Sequence, residues 1–166
     1  DLSDTAVDAF IAEMQDKLGF PIRKASSTNE MLTADIICAA TSASEPLFDG
    51  KLVKPGTHIN GIGSHTPHQR ELDSSIVARS LFVGDSREAC FKEAGDIMIP
   101  VKEGIITEEH FYAELGEILT GKKSGRKDDQ QITLFKSNGL AIQDVATAKL
   151  VYDKAMAAGI GVTVEI

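Results

Sequence analysis

Two short runs of small residues are the places where this chain could hold a ligand. Ala40-Thr41-Ser42 and Ile62-Gly63-Ser64-His65 each follow an apolar segment, and such small side chains let a flat molecule lie against the backbone. Plain turns also favour small polar residues, so both readings stand at this point. His65 and His68 are three apart with His58 upstream, which raises the question of a metal. No cysteine is near and Pro67 intervenes, so no metal site is expected. Ser42 and Ser74-Ser75 lack the G-x-S-x-G context of a hydrolase nucleophile. Cys38 lies in an apolar run and is expected to be an inert core thiol; Cys90 has no nearby histidine and no C-x-x-C partner. Lys122, Lys123, Arg126 and Lys127 cluster, but among glycine, serine and two following aspartates they read as a solvated loop.

The frame around these residues is that of a folded domain. The chain has 166 residues, with 17 Lys+Arg against 25 Asp+Glu and a net charge of −8. That length suits one domain, or one domain plus part of another. With 42% hydrophobic and 25% charged residues the composition is globular rather than disordered. The acidic balance provides no footprint for nucleic acid or an anionic membrane surface, and no apolar run approaches the roughly 18–20 residues that span a bilayer. Two cysteines are too few for a disulfide scaffold, so a cytoplasmic setting is expected. The chain opens at Asp1 with no methionine and no charged-then-apolar leader.

Apolar spacing predicts the elements. Val7, Phe10, Ile11, Met14 and Leu18 form one helical face over 3–18, with Ser3 as cap and Gly19 as stop. A short strand is expected at 21–24 and a helical turn ending at Met31. The run 34–40 has no polar alternation on its apolar stretch, which suits a strand buried on both faces. Further strands are expected at 57–62, 81–83 and 131–135, helices at 73–78 and 86–94, and one or two acidic helices over 106–119. A long helix follows Gly139, with Ala141, Val145, Ala148, Val151 and Ala155 on one side, and 161–166 alternates like an isolated strand. This rhythm is that of a doubly wound α/β sheet, in which ligands bind past the carboxyl ends of the strands. No G-x-G-x-x-G or G-x-G-x-x-A occurs.

Three ordered blocks carry a family resemblance. Val53-Lys54-Pro55-Gly56-Thr57-His58-Ile59-Asn60 continues into Gly61-Ile62-Gly63 and Arg70-Glu71-Leu72-Asp73. Ala113-Glu114-Leu115-Gly116-Glu117-Ile118 precedes Gly121-Lys122-Lys123, and Phe135-Lys136-Ser137 leads into Gly139-Leu140-Ala141-Ile142-Gln143-Asp144-Val145. Together they resemble the ornithine cyclodeaminase/mu-crystallin family. The resemblance implies a homodimeric, two-domain protein with a Rossmann-like, mostly parallel sheet that binds NAD or NADP. In that alignment 1–138 is a partial dinucleotide-binding domain lacking its first strands and glycine fingerprint. Residues 139–166 would return to a substrate and dimerisation domain upstream of Asp1. The chain is therefore expected to be a fragment that, alone, neither binds NAD tightly nor catalyses.

The resemblance also implies residue roles. Asp1 follows the family's second strand, where a carboxylate accepts from a ribose 2′-hydroxyl and disfavours a 2′-phosphate; as an ordinary residue it would only open a helix. Ala40, Thr41 and Ser42, then Ile62, Gly63 and Ser64, fall where family members meet the nicotinamide side of the cofactor. Ser137 falls near the nicotinamide amide, or else caps the following helix. His65 is a departure: ornithine cyclodeaminases and several alanine dehydrogenases carry an aspartate there, whereas this chain reads Gly63-Ser64-His65-Thr66-Pro67. An imidazole titrates near neutrality and can give a proton to nitrogen as hydride arrives, although a histidine in a polar turn can also be mere surface. The implied activity is an NAD(P)-dependent amino-acid dehydrogenase or cyclic-imine reductase acting on a small amino or imino acid. Ornithine cyclodeamination and non-catalytic ligand binding of the mu-crystallin kind are the alternatives.

Overall fold

Strands of four residues with one inward face build the core. In the computed structural model, which describes residues 2–162 and 164, the strands are β1 (Ile36–Ala39), β2 (His58–Gly61), β3 (Leu81–Gly84), β4 (Phe111–Glu114) and β5 (Thr133–Lys136). They form one sheet in the order β1-β2-β5-β3-β4, and every pairing is parallel. Ile37, Ile59, Leu134, Phe82 and Phe111 point to the same buried face, as period-two geometry requires. Against that face lie α3 (Ser74–Arg79), α4 (Arg87–Glu93) and α5 (Gly95–Lys102), which contribute Ile76, Val77, Cys90 and Ile97. Phe82 sits at the centre, edge-on to Phe111 with ring centroids 5.0 Å apart.

Caps set where these helices begin. Asp73 accepts from the Ile76 amide at 2.9 Å and, through its other oxygen, from Gly50 at 2.8 Å, so one carboxylate starts α3 and tethers the 3₁₀ turn Gly50–Leu52. Ser86 accepts from Ala89 at the head of α4.

The opposite face is partly open. α6 (Leu115–Leu119) and the loop after it lie over the β5–β3 side and leave a cavity of about 360 Å³ among His58, Val83, Phe135, Leu115, Ile118 and Arg126. Ile36 is 62% exposed and Cys38 is exposed at the free edge of β1. The two longest helices, α1 (Asp4–Leu18) and α7 (Ala141–Ala158), bury no residue fully, although both carry apolar stripes. α1 is capped by Ser3 and ended by Gly19 at φ 70°, and a short α2 (Thr28–Met31) precedes β1. Among the described residues no helix is long and apolar enough to cross a membrane.

Several expectations are corrected. Residues 21–24 form no strand: Ile22 donates to the Gln15 side chain at 3.1 Å and Lys24 pairs with Asp4 at 2.7 Å, so the segment folds back along α1. The run 34–40 yields a strand buried on one face only, with Ile36 and Cys38 left exposed on the other among the described residues. Cys38 is accordingly a surface thiol, not a core one. The one or two helices expected over 106–119 reduce to a 3₁₀ turn at Glu108–His110 and α6, with β4 between them, where Phe111 and Ala113 fill the buried face beside β3; the edge it completes outweighs local helix preference. Residues 161, 162 and 164 form no strand, and the rest of that predicted strand lies outside the described residues.

The two thiols therefore differ. Burial pushes the Cys90 thiol up to about 12, so almost no thiolate forms there near neutrality. A thiol-exchange reagent at roughly pH 8 is expected to modify Cys38 of the native chain at once and Cys90 only after denaturation, as followed by mass spectrometry of the labelled peptides.

Candidate functional site

Parallel strands bring their carboxyl ends to one rim. β1 exits into Ala40-Thr41-Ser42, β2 into Ile62-Gly63-Ser64-His65, β3 into Asp85-Ser86 and β5 into Ser137-Asn138-Gly139. The pairing Ala39↔Gly61 ends the β1–β2 ladder, and the Ile62 amide still donates to Ala39 at 2.8 Å. Beyond it the two bends touch. A methyl built on Gly63 would lie 2.6 Å from the Thr41 amide nitrogen and nearer still to its carbonyl oxygen. Only glycine permits that approach.

The contact is held by a buried carboxylate. Glu71, fully buried, accepts from the Thr41 amide on one oxygen and from the Gly63 amide at 2.8 Å on the other. Its own amide and that of Leu72 donate to Asp96 Oδ1 at 2.8 and 2.9 Å. Asp96 is also fully buried, and its Oδ2 lies 3.6 Å from Lys136 Nζ with no hydrogen-bond partner of its own. Lys136, equally buried, donates to the carbonyls of Gly61 and Ser137, both at 3.1 Å. Burial pushes the Asp96 carboxyl above the usual carboxylate range, against the pull of the Leu72 amide and the Lys136 ammonium. Hydrogen bonds to ionised groups of this kind contribute roughly 1.5–3 kcal/mol each.

A second carboxylate ties the far side of the rim. Asp85 Oδ2 accepts from the Ser137 hydroxyl at 2.9 Å and from the Asn138 and Gly139 amides at 2.8 and 2.9 Å, while Oδ1 accepts from Ser86. The β3 and β5 exits are thus bound together.

The predicted residues fall on this rim, with one outside view. Ala40, Thr41 and Ser42 are exposed, and the Thr41 hydroxyl accepts from Ala43, making a tight polar turn. Ile62 is 42% exposed at the rim, an apolar side chain available to a ligand. Ser64 is buried and its hydroxyl donates to the Gln69 carbonyl at 2.5 Å, so its side chain shapes the loop and only its backbone faces the bend. Ser137 joins the other two bends through its amide, which donates to Gly61 at 3.1 Å. His65 is exposed, and Nδ1 lies 2.9 Å from the Gly63 carbonyl. A carbonyl can only accept, so Nδ1 carries a proton and proton exchange falls to Nε2. Asp1 lies outside the described residues. His58 sits on the open sheet face, bonded to Thr133 and Asn60, away from the turn of His65 and His68. No group of three His, Cys, Asp or Glu able to hold a metal ion occurs among the described residues.

Asp85 and Asp96 lie outside the blocks that carry the resemblance, and Glu71 and Lys136 lie inside them without a role that the sequence assigns. Lys136 alone left a trace: it occupies the inward position two after Leu134, where period two demands an apolar residue. Glu71 and Asp96 lie in loops or at helix starts, and nothing local distinguishes them from surface acids.

Comparison with known proteins agrees with this geometry. The model of the ornithine cyclodeaminase/mu-crystallin family matches residues 1–159. The chain is 43% identical over 159 residues to Delta(1)-pyrroline-2-carboxylate reductase of Bacillus cereus, covering 95% of this chain and 49% of that protein. The Thermococcus litoralis Delta(1)-pyrroline-2-carboxylate reductase, solved with NADH and L-proline, superposes with a TM-score of 0.94 at 47% identity, over 99% of this chain and 51% of that one. An archaeal alanine dehydrogenase dimer with bound NAD superposes with a TM-score of 0.89 at 34% identity, over 100% of this chain and 51% of that one. The chain spans about half the length of these relatives. A family model that matches nearly the whole length, and relatives 41% to 43% identical over almost all of it, lead to one assignment: the chain belongs to the ornithine cyclodeaminase/mu-crystallin family.

Proposed function

We propose that the protein carrying this chain is an NAD(P)-dependent reductase of small cyclic imino acids, with 1-pyrroline-2-carboxylate as the leading substrate. Alanine dehydrogenase-like turnover of pyruvate and ammonia is the related reaction. The observation that carries the reading is the contact of the bends at Thr41 and Gly63 on the carboxyl rim of a parallel sheet. The missing Cβ at Gly63 makes room for the Thr41 backbone and draws the two bends together, and the exposed small residues at 40–42 leave backbone at the rim on which a flat ring can rest, so the residues present fit a nicotinamide. When bound, the cofactor supplies hydride to the imine carbon. Ala40, Thr41, Ser42, Ile62, Gly63 and the backbone at Ser64 form its walls, with Ser137 at the third exit.

His65 supplies the proton. Its Nδ1 is engaged by the Gly63 carbonyl, which fixes the ring and leaves Nε2 to deliver a proton to the substrate nitrogen. A neutral imidazole so oriented accepts at Nε2, and an imidazolium donates there. Where cyclodeaminases resemble one another in carrying an aspartate, a histidine favours donation to an imine over carboxylate-assisted ring closure; this supports the reductase over ornithine cyclodeamination. The open β1 edge and the apolar residues exposed on α7, including Ile142, Val145, Val151 and Met156, support a dimeric whole protein in which 139–166 pack on a substrate domain. The setting we assign is cytoplasmic.

In the full-length protein, NADH or NADPH is expected to be consumed with 1-pyrroline-2-carboxylate, as read from nicotinamide absorbance. Ornithine turnover without net cofactor change would instead select the cyclodeaminase, and tight cofactor binding with no turnover of amino or imino acids the binding protein. The isolated 166-residue chain, which spans about half the length of its relatives, is expected to show no micromolar NADH binding by calorimetry. Replacing the proton donor, His65→Gln, should lower kcat about 100-fold with little change in NADH affinity; an unchanged kcat would remove His65 from the chemistry.

A further inference from the structure

Three fully buried ionisable groups, Glu71, Asp96 and Lys136, lie beneath the bends and touch no ligand in the reading above. Burying charge is unfavourable, and a packed apolar cluster would hold a sheet at least as well. Their arrangement is specific to the rim rather than to the core. Glu71 has one oxygen for each bend, Thr41 on one side and Gly63 on the other. A carboxylate is suited to this because both oxygens accept; an amide side chain offers one acceptor and one donor. Glu71 is itself immobilised, since its amide donates to Asp96 and its carbonyl accepts from Leu47 at 2.8 Å. Lys136 carries the chain of contacts on to Gly61 and Ser137, so one connected set of charges spans the exits of β1, β2 and β5.

We propose that Glu71 is the positioning residue that sets the spacing of the two nicotinamide-side bends, with Asp96 and Lys136 fixing Glu71 in place. The inference rests on the dinucleotide reading of the rim. Glu71 touches neither reacting atom. It acts through the backbone of Thr41 and Gly63, and a shift of the ring of about 1 Å is enough to cost hydride transfer up to 100-fold.

The test is Glu71→Gln in the full-length protein, with active sites counted by NADH fluorescence so that loss of folded enzyme does not enter kcat. We expect kcat for 1-pyrroline-2-carboxylate reduction to fall about 10- to 100-fold per active site. NADH Kd and substrate KM should move less than about threefold, and the isotope effect on kcat from NADH deuterated at the transferred position should rise. Independently of activity, hydrogen exchange at the Thr41 and Gly63 amides should quicken about tenfold. A folded variant with wild-type kcat and unaltered exchange at both amides overturns the role of Glu71 while leaving the cofactor reading intact. A wild-type protein that neither binds NADH nor reduces the imine overturns the cofactor reading, and the positioning role of Glu71 with it. Should Glu71→Gln fail to fold, Asp96→Asn is measured instead. It keeps the acceptor for the Glu71 amide and turns a donor toward Lys136, so the same split of kcat from KM, about three- to tenfold, is expected; wild-type kcat and exchange there overturn the proposal.

Discussion

Five strands running in one direction deliver their exits to one rim, and a parallel ladder says nothing about how those exits diverge once pairing stops. The β1–β2 ladder ends at Ala39↔Gly61, and from there the spacing of the bends depends on side chains. Glu71 closes that gap by accepting one amide from each bend, and Asp85 does the equivalent for the exits of β3 and β5. Lys136 lies between the two, bonded to the carbonyls of Gly61 and Ser137. The geometry of the rim therefore follows from a few charged groups placed where water is excluded and each hydrogen bond is strong.

The sheet is finished on one face and unfinished on the other. α3, α4 and α5 bury the face that holds Phe82, Ile59 and Leu134, and this half has the close packing of a domain core. On the other face Ile36 and Cys38 are exposed, a cavity remains under α6, and α1 and α7 carry apolar stripes without burying a residue. In a chain about half as long as its relatives, these two helices stay without a fully buried residue among those described.

Family membership and the rim constrain chemistry to different degrees. Nearly the whole chain matches a family whose relatives include a reductase solved with NADH and L-proline and an alanine dehydrogenase dimer with bound NAD. At the turn that holds His65, the Nδ1 bond to the Gly63 carbonyl fixes which nitrogen can exchange a proton. That bond ties the candidate proton donor to the same bend that Glu71 holds.

Local chemistry made much of this legible in advance. Ser3, Asp73 and Ser86 announce helix starts through their side-chain oxygens, Gly19 announces a stop, and the small residues at 40–42 and 62–65 mark strand exits because bulky side chains cannot turn so tightly. Other features depended on neighbours distant in sequence. Phe111–Glu114 became a strand because β3 had a free edge, Cys38 became a surface thiol because the described residues leave its side of β1 exposed, and 21–24 bonded to α1 instead of joining a sheet. Glu71 and Asp96 are 25 residues apart and Lys136 is 40 further on; spacing and composition could set the elements and the bends, but only the folded chain could bring those three charges together, since their meeting is a property of long-range packing that no local pattern encodes.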